Sequence, residues 1–168
     1  PAGNYGLTFD GTDDYVSVRY SSDLRFADTD AFTIETWVKL ASTANSNIIS
    51  KTDQYFILVA NSKFQFKGHF LRENVGNTLG LVQSTTTATT GIWYHLAATF
   101  SKSSGKLTLY VNGTQEGQVT GLTDYDITGT TDALIIGAKK YYTLPPDGYV
   151  NGAIDEVAIW DEAITDAE

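Results

Sequence analysis

The stretch that decides the fold is Trp93-Tyr94-His95-Leu96-Ala97-Ala98-Thr99-Phe100, the turn Ser101-Lys102-Ser103-Ser104-Gly105, and Lys106-Leu107-Thr108-Leu109-Tyr110-Val111-Asn112-Gly113. Successive side chains of a strand point to opposite faces, so alternation of apolar and polar residues marks one face for burial. In the first run Tyr94, Leu96, Ala98 and Phe100 share a face, with His95 and Thr99 opposite. In the second, Leu107, Leu109 and Val111 line up the same way. Asn112-Gly113 then gives the strongest short hairpin signal, because both residues tolerate positive φ.

The same period recurs on either side. Tyr15 to Arg19 places Val16 and Val18 together, and Phe32 to Leu40 places Phe32, Ile34, Val38 and Leu40 on one face against Glu35, Trp37 and Lys39 on the other. Ile48 to Lys51, Tyr55 to Ala60 and Phe64 to Lys67 read as short strands, the last two joined by Asn61-Ser62. Ala133 to Ala138 and Ala153 to Trp160 supply late strands. Three segments read as polar loops: Ser84 to Gly91, Gly121 to Asp132, and Lys139 to Gly148. Only Thr165-Asp166-Ala167-Glu168 resembles a helix start, with Thr165 as its N-cap. Ten or more short strands separated by turn signals predict an all-β fold, an antiparallel sandwich of two sheets.

Composition agrees and narrows the functions. The 168 residues suit one domain spanning 1–168, and no composition shift marks a linker. The longest apolar stretches, such as Ile57-Leu58-Val59-Ala60, are far short of the ~20 residues a membrane helix needs, so no membrane insertion is expected. Eleven basic residues against twenty acidic ones give a net charge of −9 and a pI near 4.5. That balance argues against nucleic acid and heparin-like polyanions and leaves neutral ligands and divalent cations open. With no cysteine there are no disulfides, thiolate metal sites or cysteine nucleophiles. Residue 1 is proline and methionine is absent, so the expectation is a module cut from a longer protein, in a composition common among secreted bacterial modules.

Several motifs resemble laminin-G-like jelly-roll domains of the concanavalin A-like superfamily. Leu7-Thr8-Phe9-Asp10-Gly11-Thr12-Asp13-Asp14-Tyr15-Val16 and Phe32 to Lys39 look like the opening of such domains. Trp93 to Phe100 with Leu109-Tyr110-Val111-Asn112-Gly113 looks like their middle, and Gly152 to Trp160 with Thr165 to Glu168 like their end. The resemblance runs in order from about residue 5 onward. It implies the jelly roll, and it leaves function open among lectins, adhesion modules and glycosidases.

Asp10, Asp13 and Asp14 lie in a turn rich in the oxygen donors that calcium takes. The resemblance implies a calcium held between this turn and the Ile-Asp-Glu-Val motif, with Asp10 and Asp155 as side-chain ligands and Thr12 giving its carbonyl. The alternative is an Asx-type turn without metal. A glycosidase needs two carboxylates across a sugar, and the Glu-x-Asp-x-x-Glu pattern of the related glucanases is absent. Asp155 and Glu156 are adjacent, so alternation sends them to opposite faces. His69 and His95 have no second histidine nearby for zinc, and His95 reads as a hydrogen-bonded strand residue. Trp93 and Trp160 read as packing residues. Trp37 shares its face with Glu35 and Lys39, where an exposed sheet would make it a sugar platform. Asn112-Gly113-Thr114 matches a glycosylation acceptor, which the hairpin already explains.

The favoured ligand surface is a rim built by the loops Gly121–Asp132 and Lys139–Gly148. Its expected residues are Tyr125, Tyr141, Tyr142, Asp147, Tyr149 and Asn151, rings to stack on sugar faces and polar groups to meet hydroxyls. The alternative is that the rings cover the ends of the sandwich. The expected function is therefore a non-catalytic, extracellular glycan- or polysaccharide-binding module, secreted or at the cell surface, with structural calcium. The rival is a protein-interaction or spacer module of a bacterial adhesin.

Overall fold

The computed structural model describes residues 6–26, 31–72 and 76–164. The expected helix start at Thr165 to Glu168 lies outside them. The strands are β1 (Leu7–Asp10), β2 (Val16–Val18), β3 (Ala31–Leu40), β4 (Ser46–Lys51), β5 (Tyr55–Ala60), β6 (Lys63–Arg72), β7 (Gly76–Thr87), β8 (Trp93–Ser101), β9 (Lys106–Val111), β10 (Thr114–Val119), β11 (Asp126–Ile127), β12 (Leu134–Ile136) and β13 (Asn151–Trp160). One short 3-10 turn, Ser22–Leu24, is the only helical element among the described residues. None of these has a helix long and apolar enough to cross a membrane, a statement that bears on helices and not on strands.

All pairings are antiparallel. One sheet runs β1-β13-β3-β8-β9-β10. The other runs β11-β6-β5-β4-β12-β2, with β7 added alongside β6. The result is a jelly-roll sandwich of two sheets. The hairpin signals worked as their chemistry requires. Asn112 and Gly113 have φ of 51° and 76°, and Asn61 and Ser62 have 52° and 57°, the positive values of a turn that matches strand twist.

The core forms where alternation places it. Phe32, Ile34, Val38 and Leu40 of β3 are buried, as are Tyr94, Leu96, Ala98 and Phe100 of β8 and Leu107, Leu109 and Val111 of β9. Across from them sit Tyr55, Ile57 and Val59 of β5 and Phe64, Phe66 and Phe70 of β6. Rings join the sheets: Phe70 and Phe100 have centroids 4.9 Å apart, Phe64 and Tyr94 also 4.9 Å, and Phe32 meets Phe66 edge-on at 6.2 Å. Gly68 and Gly80 are cross-strand partners, and a Cβ at either would come within 2.6 or 2.7 Å of the Phe70 ring. Their glycines make room for that ring.

The structure corrects three readings. Ser84 to Thr87 is not loop: it continues β7, whose twelve residues pair with β6 and carry that strand out to Arg72. The segment Gly121–Asp132 is not loop throughout, because Asp126–Ile127 pairs with β6 as β11. Asp155 and Glu156 do not obey simple alternation either. The register between β13 and β3 slips between Asp155 and Ala158, and Glu156 has a φ of 50°, a bulge that breaks the period.

Candidate functional site

The site is legible first as an anomaly. In β5, Tyr55, Ile57 and Val59 face the core, so Phe56 and Leu58 face away from it, yet they are only 3% and 8% exposed. A second layer covers them. The loop Lys139–Gly148 leans on this outer face, bringing the Tyr141 ring to 6.3 Å from Phe56, while the His69 ring lies 5.7 Å from Phe56 on the other side. Between loop and sheet runs a groove of about 450 Å³. Phe56 and Leu58 contribute to it from β5, Lys67 and His69 from β6, Leu79 from β7, and Asn45 and Asn47 from the β4 side. Lys139, Tyr141 and Asp147 form the loop wall.

That wall is held at its base. Lys139 and Asp147 exchange backbone hydrogen bonds of 2.9 and 2.8 Å and join their side chains in an ion pair at 3.1 Å. The Asn47 N–H donates to the Gly148 carbonyl at 2.8 Å, tying the loop to β4. The Lys139 ammonium also sits 4.8 Å from the Tyr141 ring centroid, a cation–π contact that fixes the ring's position. Pro145-Pro146 stiffen the segment further by fixing φ. Burial holds the His69 imidazolium below its ordinary pKa; Asp53 pulls it back up and Lys67 pushes it further down.

The six expected ligand-binding residues do not gather in one place. Tyr141 and Asp147 line the groove. Tyr142, 62% exposed and at a φ of 47°, donates its hydroxyl to the Asp53 carboxylate in the β4–β5 turn, which raises the phenol's pKa. Tyr125 is half-buried against the core, with the Arg72 guanidinium 5.7 Å from its ring. Tyr149 and Asn151 line a separate hollow of about 140 Å³ with Gly11 and Ser42. Ser46 borders both this hollow and the groove. The Tyr149 hydroxyl is pushed up by burial, with Tyr15, Asp13 and Asp147 adding to it. The rim expected from two loops is therefore one loop leaning on a sheet face.

The acidic turn adjoins the smaller hollow. Carboxylate oxygens of Asp10, Asp13 and Asp14 lie within 4.8 Å of one another, all three residues exposed. Asp10 Oδ1 accepts from the Thr12 N–H at 2.7 Å and the Asp13 N–H at 3.4 Å, and Asp14 Oδ2 accepts from the Asp10 N–H at 3.1 Å. Asp155 is not brought to this cluster. Asp10 pairs with Asn151, whereas Asp155 lies by Gly6 at the other end of β1, about 13 Å along the strand. Its carboxylate accepts from the Glu156 N–H inside the bulge at 2.9 Å. The donor set Asp10, Asp13 and Asp14 is all hard oxygen and suits calcium; the pairing of Asp10 with Asp155 does not assemble.

The outer face of the other sheet is occupied by its own contacts. Trp37 packs against His95 at 5.2 Å, His95 Nε2 meets Glu35 at 3.4 Å, and Trp160 Nε1 donates to Glu35 at 3.0 Å. Lys39 sits 5.1 Å from the Trp93 ring. Trp37 is thus part of a cross-strand cluster rather than a bare platform. Phe56, Leu58, Lys67, His69 and Leu79 were missed as site residues. The signal was present in Tyr55-Phe56-Ile57-Leu58-Val59-Ala60, a run apolar on both faces, which means that both faces are covered.

A family model described as the concanavalin A-like lectin/glucanases superfamily, of laminin-G type, matches residues 10–168. No curated protein matches the chain in sequence. Among solved structures, domain 4 of an extracellular arabinanase from Geobacillus stearothermophilus, in complex with arabinotriose, superposes with a TM-score of 0.71 at 18% identity, over 99% of this chain and 76% of that one. The CBM40 of the Ruminococcus gnavus IT-sialidase, bound to α2,3-sialyllactose, gives 0.66 at 14% identity over 96% and 94%. Domains LG4-5 of the mouse laminin α1 chain give 0.63 at 17% over 95% and 44%, so this chain spans less than half of that one. At such identities the likeness shows the fold alone.

Proposed function

We propose that this chain, which belongs to the concanavalin A-like lectin/glucanases superfamily, is a non-catalytic glycan-binding module that takes its ligand in the groove between β5, β6 and the Lys139–Gly148 loop. The observation that carries the reading is the fixed Tyr141 ring above a floor of Phe56 and Leu58, with Asn45, Asn47 and Asp147 at its margins. Aromatic faces stack on the C–H faces of sugars, and amides and carboxylates meet hydroxyls. A ring already held by Phe56 and Lys139 loses little entropy on binding. Two structural neighbours were solved with sugar ligands, arabinotriose and sialyllactose, which accords with this use of the fold. Hydrolysis needs two carboxylates about 5–10 Å apart; among the described residues the groove lining supplies Asp147 alone, and Lys139 engages it.

Calcium belongs to this proposal as a stabiliser of the turn Asp10–Asp14, where three gathered carboxylates repel one another until a cation joins them. Placed beside the hollow of Tyr149 and Asn151, it would stiffen the end of the groove bordered by Ser46. An extracellular setting, secreted or at a cell surface, follows from the same reading. A second reading, a module that binds protein, is favoured by Leu71, Leu79 and Leu81, all roughly half exposed on this sheet face.

A panel of soluble polysaccharides and oligosaccharides, screened by affinity electrophoresis and calorimetry, tests the proposal. A shallow site of this kind should bind at about 0.1–1 mM. Tyr141→Ala should abolish binding, and Tyr142→Ala should leave it in place. Equal binding by wild type and Tyr141→Ala, or no binder in the panel, refutes the reading.

A further inference from the structure

We propose that the sugar held in this groove carries a carboxylate, as a uronic or sialic acid does, and that Lys67 and His69 receive it. The inference rests on the reading of the groove as the glycan site and goes beyond it to the class of ligand. Lys67 and His69 are two residues apart on β6, so alternation places both on the outer face, and both line the groove. The charges within the groove do not cancel. Lys139 is matched by Asp147 at 3.1 Å, while Lys67 is half-buried and has no carboxylate within ion-pair distance among the described residues. A protein of net charge −9 thus keeps in an aromatic groove a cation with no ion-pair partner among the described residues.

A neutral sugar can take only hydroxyl hydrogen bonds from that arrangement. A carboxylate accepting from an ammonium and an imidazole forms charge-assisted hydrogen bonds, roughly twice as strong as neutral ones. The partly desolvated site strengthens them further. The protein's overall field still opposes long polyanions, so the ligand is one acidic residue among neutral neighbours rather than a heparin-like chain. The groups facing His69 are Phe56 from β5, Lys67 from its own strand and Asp53 from the β4–β5 turn, the last engaged by the Tyr142 hydroxyl; Tyr141, Lys139 and Asp147 form the loop wall of the same groove. A bound carboxylate favours protonated His69, so affinity should rise as the pH falls, until the sugar acid itself protonates.

Two matched pairs of probes test this by calorimetry or NMR titration: sialyllactose against lactose, and xylotriose bearing a single glucuronic acid against its carboxyl-reduced counterpart. In at least one pair the acidic member should bind about tenfold tighter than its neutral counterpart at low salt. That advantage should shrink as salt rises. Lys67→Gln should remove it, Lys67→Arg should keep it, and His69→Gln should flatten its pH dependence. Equal binding of acidic and neutral members, or an advantage that survives Lys67→Gln, overturns the proposal. If a neutral glycan then still binds and Tyr141→Ala still abolishes it, the glycan reading stands while this inference falls. Failure of every carboxylated probe in both pairs also overturns it, and failure of the whole polysaccharide panel takes the broader reading with it.

Discussion

Tyr55 offers a sharp test of how the core is built. It is fully buried on the inner face of β5, with its ring 5.9 Å from Phe26 and 6.0 Å from Phe32 in tilted contact. Its hydroxyl has no hydrogen-bond partner among the described residues. A buried hydroxyl left unpaired costs about 1–3 kcal/mol in lost hydration. Tyr55→Phe keeps the ring and removes that cost, so the variant should be more stable than wild type by about 1 kcal/mol, or roughly 2–4 °C in Tm for a domain of this size. Alkali gives a second reading. Burial raises the phenol's pKa above its usual value near 10. A raised folded pKa means the native state holds a proton that the unfolded state releases, so stability is full below the unfolded pKa and falls above it. The slope is about 1.4 kcal/mol per pH unit over that window. The gap between Tyr55→Phe and wild type should therefore be constant below pH ~9 and widen above ~10. Urea titrations across that range measure it. A variant less stable than wild type at neutral pH would show that a hydrogen bond holds the hydroxyl, and a gap unchanged by alkali would refute the linkage.

Three more outcomes follow from other parts of the molecule. Calcium at a hundredfold excess over its Kd should stabilise the folded state by about 2.7 kcal/mol, read as a higher midpoint in thermal melts with ion than with chelator. Asp10→Asn should abolish that rise and Asp155→Asn should keep it, since only Asp10 lies in the carboxylate cluster. Leu109→Ala, in the fully buried face of β9, should cost about 2–5 kcal/mol in urea titration. Gly80→Ala should cost about 1–3 kcal/mol, because its Cβ would meet Phe70 at 2.7 Å and Leu107 at 2.9 Å.

How far the fold could be read from sequence depended on local period. β3, β8 and β9 alternate without interruption, and the structure buries the faces their sequence marks. β7 escaped because Gly76-Asn77-Thr78-Leu79-Gly80 carries little apolar alternation, and its threonine-rich end reads as loop chemistry. What holds it in place is tertiary: Gly80 exists for Phe70, and Glu116 of β10 accepts from the Thr86 N–H at 2.8 Å. The bulge at Glu156 escaped for a related reason, since nothing in Ile154-Asp155-Glu156-Val157-Ala158 announces a slip of register.

The site was half legible, and the missing half is instructive. Tyr141 and Asp147 could be picked out because aromatic and acidic residues in a proline-bearing loop lack a local reason to be there. Their partners sit more than sixty residues earlier, on strands whose outward positions look like ordinary surface when each strand is read alone. Lys67 and His69 alternate with Phe66 and Phe70 in the manner of any half-buried strand. β5 breaks that pattern with two outward residues that are buried, Phe56 and Leu58, which should be polar if water lay beyond them. Burying a ring such as Phe56 at an outward position needs a cover, and no neighbouring strand can supply it, because strands add at the edges of a sheet and not on its face. The cover must come from a loop stiff enough to stay down, and Lys139–Gly148, tied at both ends to each other and to β4, meets that demand. A loop held over a sheet face leaves a groove wherever its side chains fail to reach the floor. Here the gap opens between Tyr141 and β6, so the position of the groove follows from the same two apolar residues that made the cover necessary.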